Sequence, residues 1–234
     1  MNPFPVSSAV YFYSMAATFS YGLWFRSAYK KTGNEYTKMF FRLGMIESLS
    51  LGFYGIPIFI NAETVRANGV FYILGTLAFF VAIYNPLLVT LTSWNKIALT
   101  KFFKIAMPLF ILILGAVHTV HIPAPSVDVY GIIHWNVSYP FNIVVAALGM
   151  SAALVSGYFL FTMPAKNAKT AVKKTLFSIT FLLGGIGGWS MILTTNTILL
   201  AASFGIMFLG FTALWAMFFV ELIMKEPHGF AGDY

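Results

Sequence analysis

Long apolar runs, separated by short polar links, make up most of the chain. A bilayer core of about 30 Å requires about 20 apolar residues per helix, and seven segments reach that length. The longest link runs roughly from 122 to 138. The pattern predicts an all-α fold, a seven-transmembrane-helix bundle that forms a single membrane domain over residues 1–234. The predicted helices lie near residues 6–26, 39–60, 70–93, 101–121, 139–163, 175–195 and 198–224.

Positive charge lies almost entirely on one side of this predicted bundle. If the chain crosses the membrane seven times, thirteen of the 14 Lys and Arg residues share one side, and Arg66 alone lies on the other. Because basic residues favour the cytoplasmic side, we expect the N-terminus outside and the C-terminus inside. The thirteen are Arg26, Lys30, Lys31, Lys38, Arg42, Lys96, Lys101, Lys104, Lys166, Lys169, Lys173, Lys174 and Lys225.

Composition supports lipid as the main solvent. Hydrophobic residues make up 59% of the chain and charged residues 9%, against about 25% charged residues in soluble domains. The net charge of +7 is explained by a basic cytoplasmic face on anionic lipid head groups, so no nucleic acid partner is expected. The chain contains no cysteine, which excludes disulfides and Cys-ligated metals. We expect a multi-pass protein of the inner cell membrane.

Seven spans with an external N-terminus and short links resemble the outline of microbial rhodopsins. That family binds retinal through a lysine inside its seventh helix. The predicted seventh helix contains no lysine, and the nearest is Lys225, just after it. The resemblance therefore ends at the residue that defines the family, and we do not extend its function to this chain.

Glu47 is the outstanding ionisable residue within a predicted span. Ionisable side chains are costly inside a membrane and usually functional. Ser50 and Tyr54 follow Glu47 at i+3 and i+7, so all three share one helical face. This face is a candidate site for ligand binding or proton coupling.

Two other predicted helices carry polar residues at the depth of Glu47. Thr18 and Tyr21 lie in the first helix and Asn85 in the third, each about 18–22 Å from the outer boundary at a rise of 1.5 Å per residue. The four side chains are therefore expected to line one polar pocket. The alternative interpretation is a hydrogen-bonded structural network with no further role.

Three histidines and an aspartate lie around the longest link. His118 and His121 are spaced i, i+3 at the end of the fourth predicted helix, and Asp128 and His134 follow in the link. Two histidines on one face with a third ligand from a loop can form an open metal site. The alternative is that the histidines lie at the membrane interface without a metal, because no fixed motif is present. In this interpretation Trp135 also rests on the membrane surface.

The sequence GGIGGW places Gly184 and Gly188 four residues apart, before Trp189. Small residues at this spacing let two membrane helices approach closely. The alternative interpretation is a groove for a ligand, with Trp189 as one wall.

No constellation of residues favours an enzyme. Ser151 lies within a predicted helix, but no histidine at its depth can serve as its base. We therefore expect a small-molecule or proton-coupled transporter, or a related ligand-binding bundle. The alternatives are a non-catalytic subunit of a larger membrane complex, metal- or redox-associated, and a receptor that signals through a partner. Expected partners are membrane lipids, a small-molecule ligand, and other membrane subunits or further copies of the chain.

Overall fold

The computed structural model describes residues 5–165 and 167–223. Within them, every long element is a helix. The helices are α1 Val6–Thr32, α2 Glu35–Ile60, α3 Val65–Ser93, α4 Ile97–Val120, α5 Phe141–Thr162, α6 Ala168–Leu193 and α7 Thr197–Ile223. Helix α6 contains a π-helical turn, Thr180–Gly184, and ends in a 3₁₀ turn, Met191–Leu193. Strands β1, Ser126–Val127, and β2, Ile133–His134, pair antiparallel in the link between α4 and α5.

Six of these helices, α2 to α7, are long and apolar enough to cross a membrane. They establish the chain as a multi-pass membrane bundle by length and composition. Helix α1 is also long, with 27 residues, but it is not among the six. Its buried face carries small hydroxyl side chains such as Ser7, Ser8 and Ser14, which lower its apolar character.

Several helices extend beyond their predicted bounds, because polar residues in the links act as helix caps. Gly33, with a φ of 65°, ends α1 at Thr32, six residues after the predicted end. Asn34 and Asn167 accept hydrogen bonds from the backbone N–H groups of the helices they begin. The apolar pattern predicted only the apolar part of each helix, and it did not include the polar turns at the capped helix ends. Lys166, Lys225 and residue 224, the predicted end of the last helix, lie outside the described residues.

The helices form a six-membered ring with one peripheral helix. Successive contacts run from α1 through α2, α3, α5, α6 and α7, and α7 packs back against α1. Helix α4 packs mainly against α3 on the outside of this ring. Only 17% of its membrane span is buried, against 39–50% for the other five spans. The ring therefore provides the interior of the molecule, and α4 is an outer layer.

Glycines allow the closest helix contacts in the ring. A methyl group on Gly44 of α2 would lie 2.8 Å from the Cα of Gly22 on α1. A methyl group on Gly210 of α7 would lie 3.0 Å from the Cα of Gly184 on α6. Both helix–helix contacts depend on the absence of a glycine side chain, so the close approach predicted at Gly184 is present.

Candidate functional site

The ring encloses a narrow pocket of about 100 Å³. On α1 it extends from Tyr11 to Tyr21, ten residues apart, or about 15 Å at 1.5 Å per residue. Six helices and the α4–α5 link contribute to its wall, and α4 contributes no residue. Its lining residues are Tyr11, Thr18, Tyr21, Leu43, Gly44, Glu47, Leu51, Tyr54, Tyr72, Phe79, Ile83, Trp135, Ala153, Phe177, Thr180, Phe181, Gly184, Gly185, Gly188, Trp189, Ile192, Met207, Phe211 and Leu214.

Glu47 is the one carboxyl group among the lining residues, and no Lys, Arg or His lines the pocket. It is the thirteenth of the 26 residues of α2, and so lies midway along that helix. Its side chain borders the pocket and is half-buried, but its Oε2 atom is inaccessible and has no hydrogen-bond partner among the described residues. A buried polar atom without a partner is costly, so this carboxyl group is a focus for ligand or proton binding.

Thr18 and Tyr21 line the pocket together with Glu47, and the structure brings these three predicted residues to one place. The Thr18 hydroxyl donates to the carbonyl oxygens of Ser14 and Met15 at 3.0 and 3.1 Å. It is therefore bound to its own helix. Tyr21 packs its ring on Phe177, with centroids 4.8 Å apart, and closes one end of the pocket.

Ser50 and Tyr54 attach α2 to α3. Ser50 Oγ donates to the carbonyl oxygen of Gly75 at 2.7 Å, and the Tyr54 hydroxyl lies 3.0 Å from Thr76 Oγ1. Tyr54 also lines the pocket, whereas Ser50 does not. On the face of α2 that these residues share, Glu47 and Tyr54 therefore line the pocket, while Ser50 and Tyr54 contact α3.

The structure does not place Asn85 in the pocket. Asn85 lies in a separate surface depression with Glu35, Lys38 and Arg42. On α3 the pocket is lined by Tyr72, Phe79 and Ile83, and Asn85 comes two residues after the last of these. Two residues correspond to a rotation of about 200°, so Asn85 faces away from the pocket. The prediction matched depth but ignored this rotation.

The π-helical turn of α6 forms part of the pocket wall through Thr180, Phe181 and Gly184. Such turns interrupt the regular α-helical hydrogen-bond ladder and occur frequently at functional sites. This turn was not predicted, because no residue pattern distinguishes a π-turn from an α-turn here.

Gly188 and Trp189 form a groove in the pocket wall. A methyl group on Gly188 would meet no atom within 4 Å, so this position opens into space. The Trp189 ring faces Phe79, with centroids 4.6 Å apart, and lies where a side chain on Gly149 would be. Gly184 therefore packs tightly, as predicted, whereas Gly188 leaves room.

Trp135 closes the pocket at the end of the bundle where the strands lie, which we name the hairpin end. Its Nε1 donates to the Tyr11 hydroxyl at 3.0 Å, and its ring lies 4.9 Å from that of Tyr72. The hairpin is itself tied to α1, because the backbone N–H of Ile133 donates to Ser7 Oγ at 3.0 Å. The sequence suggested a surface tryptophan, yet Trp135 is 2% exposed.

Asp128 organises the hairpin. Its Oδ1 accepts hydrogen bonds from the backbone N–H groups of Tyr130 and Ile132, and its Oδ2 accepts from Thr197 at 2.8 Å and lies 3.1 Å from His134 Nε2. Burial alone would raise the pKa of Asp128, but the hydrogen bonds to Ile132, His134, Thr197 and Tyr130 lower it to about 2. This carboxylate therefore joins the hairpin to the beginning of α7.

The predicted metal ligands do not converge. His118 is buried with its ring stacked on Tyr72, His121 packs against Phe141, and His134 contacts Asp128. In residues 5–165 and 167–223, no three His, Asp or Glu side chains are grouped so that they could hold a metal ion. The one contact between predicted ligands, Asp128 to His134, is explained by the hairpin.

Buried lysines lie at the opposite end of the bundle, where α1 ends and α2 begins. We name it the basic end. Lys169 and Lys173 of α6 are at most 3% exposed and both pair with Glu221 of α7, Lys169 at 3.4 Å. Lys173 also lies over the Trp24 ring, 5.3 Å from its centroid. The burial of these lysines was not predicted, because their spacing resembles that of an exposed basic link.

No protein-family model matches the chain, and no curated protein or solved structure is significantly similar to it. The interpretation of its function therefore depends on the geometry of the pocket.

Proposed function

We propose that this chain binds a small molecule inside a membrane bundle and transports it, with Glu47 as the ionisable residue of the site. The observation that carries the proposal is the pocket itself: a space at mid-bundle bordered by Glu47, whose Oε2 atom has no hydrogen-bond partner among the described residues. Intramembrane carboxyl groups facing a cavity mark substrate and proton pathways. Thr18, Tyr21 and Tyr54 shape the space around Glu47.

The proposal includes a topology with seven spans, in which α1 is the first. At 27 residues, α1 is about 40 Å long at 1.5 Å per residue, and it completes the ring between α2 and α7. The basic asymmetry then favours an external N-terminus, an internal C-terminus and the inner cell membrane. A tag at Asn2 should be accessible from outside and a reporter after Tyr234 cytoplasmic. An external C-terminus would contradict this topology.

A pair of glycine variants tests whether the pocket holds a ligand. Gly188→Leu places a side chain into the pocket, whereas Gly205→Leu places the same side chain on an exposed part of α7, where a methyl group also meets no atom within 4 Å. We expect a small molecule to co-purify with the parent and with Gly205→Leu, and to be depleted from Gly188→Leu. Mass spectrometry of extracts from folded, purified protein measures this directly.

Equal extracts from all three proteins would contradict a ligand pocket at this position. Melting temperatures of the two variants provide the check on folding, since Gly188 and Gly205 are both free of steric conflict. Glu47→Gln then tests the contribution of the carboxyl group separately from that of the space around it. It keeps the shape of the side chain and removes its ability to titrate, so it should stay folded and lose proton coupling or affinity.

A non-catalytic subunit of a larger membrane complex is the second candidate, and α4 favours it. Its span is only 17% buried, and its outer face carries Phe102, Ile105 and Leu112, all at least 67% exposed. This face can accept either lipid or a helix of another subunit. Such a subunit would keep its assembly partners in Gly188→Leu and in Glu47→Gln, and neither variant would change any transport activity.

A further inference from the structure

Four of the six hydroxyl groups that line the pocket already have partners other than Glu47. The Tyr54 hydroxyl lies 3.0 Å from Thr76 Oγ1, the Thr18 hydroxyl donates within α1, and the Thr180 hydroxyl donates to the carbonyl oxygen of Leu176 at 3.0 Å. The Tyr11 hydroxyl accepts from Trp135 and donates to the sulfur of Met191. A donor for the Glu47 carboxylate is therefore most readily supplied by a molecule within the pocket.

The pocket wall selects the charge of such a molecule. An anionic group would face the one carboxyl group of the wall with no Lys, Arg or His beside it. The nearest buried cations described, Lys169 and Lys173, are engaged with Glu221 at the basic end. An organic cation, in contrast, would find a carboxylate for its charge and would not be left unpaired in a low-dielectric interior.

Aromatic rings provide the second feature that fits a cation. Ten of the 24 lining residues are Phe, Tyr or Trp. Aromatic faces attract ammonium groups, and the effect grows when the site excludes water. The same rings bind the apolar body of a ligand through ordinary burial.

Size and shape restrict the ligand further. An engineered apolar cavity of about 150 Å³ holds a benzene molecule, and this pocket offers about 100 Å³. Contacts of Tyr11 with Met191 and of Tyr21 with Phe177 place Gly188 between the level of Glu47 and the hairpin end. Because the pocket is smaller than the cavity that holds benzene, an ammonium group at Glu47 can point a short alkyl chain toward Gly188 and Trp189.

We infer that the pocket takes a small organic cation, an amine carried on a short alkyl chain, with its ammonium group bound by Glu47. This inference rests on the proposed function and names the substrate class of that same site.

Two matched probes test it: n-butylamine, which is a cation at neutral pH, and 1-butanol, which has the same chain with a hydroxyl group in place of the charge. Binding is measured by calorimetry on the full chain in lipid nanodiscs, with empty nanodiscs as the background. We expect the parent to bind the amine about 10- to 100-fold more tightly than the alcohol, as a charge-assisted hydrogen bond implies. Glu47→Gln should remove this preference and keep binding of the alcohol.

Gly188→Leu should weaken both probes, and Gly205→Leu neither. Glu47→Asp keeps the charge on a shorter side chain and should retain part of the preference for the amine. It therefore shows whether the loss in Glu47→Gln comes from the missing charge or from a folding defect. The substrate class is wrong if the alcohol binds as tightly as the amine, or if Glu47→Gln keeps the preference for the amine. In either case, weaker binding in Gly188→Leu would still support a ligand pocket at this position. A parent that binds neither probe overturns the inference, and the co-purification experiment decides the proposed function separately.

Discussion

The two ends of the pocket are closed in different ways. At the hairpin end, Trp135 donates to Tyr11, and Asp128 joins the hairpin to Thr197 of α7, so hydrogen bonds cross between elements distant in sequence. At the basic end, the closure is a layer of packed rings in which Tyr21 and Phe177 lie 4.8 Å apart. A pair of lysines and Glu221 lie beyond that layer.

This difference indicates which end opens. Directional hydrogen bonds hold one arrangement, and breaking them strands buried polar groups. Packed aromatic rings can slide or rotate with little polar cost, and the π-turn of α6 contains Phe181, whose ring packs on that of Phe177. We therefore expect the hairpin end to stay fixed while the basic end opens, and the following predictions test that contrast.

Loss of Trp135 should have the largest effect. Its ring is 2% exposed and packs against Tyr11, Tyr54 and Tyr72. Trp135→Ala should destabilise the bundle by about 3–5 kcal/mol, as large-to-small core substitutions do. Tyr130→Ala is the control, because that side chain lies in the same hairpin but is 72% exposed, and it should change stability by less than about 0.5 kcal/mol. Chemical denaturation in detergent measures both, and similar losses would contradict a closed hairpin end.

At the basic end, Glu221→Gln should have the next largest effect. It removes the carboxylate that Lys169 and Lys173 share, and both lysine side chains are at most 3% exposed. Because Glu221 is itself 27% exposed, we expect a loss of about 2–3 kcal/mol, below the range for a fully buried pair. Glu35→Gln breaks the exposed pair with Lys38 and should have a much smaller effect, because water screens that pair. Equal effects would mean that the buried lysines do not depend on Glu221.

Asp128 should give the smallest effect and a dependence on pH. Its folded pKa of about 2 lies below the ordinary value of 3.8, so the carboxylate stabilises the folded state. That contribution, about 2 kcal/mol, is present above pH 3.8 and is lost as the pH falls through about 2. Melting curves should show the loss in the parent and in the exposed control Glu63→Gln, but Asp128→Asn should lack it. An unchanged pH dependence in Asp128→Asn would contradict this assignment.

The helices and part of the site follow from local patterns in the sequence. A run of about 20 apolar residues predicts a span whatever its neighbours are, and six of the seven predicted spans are confirmed as capable of crossing a membrane. Glu47 stood out because a carboxyl group within such a run is rare. Thr18 and Tyr21 were found because depth along a helix can be counted from the sequence, and Tyr54 because it follows Glu47 at i+7 on the same face.

Rotation and tertiary packing could not be predicted in the same way. Asn85 has the right depth but the wrong face of α3, and nothing in one sequence sets the rotation of a helix that is apolar on every side. Trp135 resembled an interfacial tryptophan because its burial depends on Tyr11, more than a hundred residues away. The π-turn and the buried lysines of α6 likewise depend on contacts with α7.

Accessibility of a single cysteine at Gly188 tests the central claim most directly. The chain has no cysteine of its own, so Gly188→Cys and the control Gly205→Cys each carry one thiol in a position without steric conflict. A small cationic thiol reagent is added to sealed vesicles from the side of the hairpin end or from the side of the basic end, and labelling is followed by mass spectrometry. The account predicts that Gly188→Cys is labelled from the basic end, more slowly or not at all from the hairpin end, while Gly205→Cys is unlabelled from either side. A Gly188→Cys thiol that no aqueous reagent reaches from either side would show a dry scaffold and contradict the account.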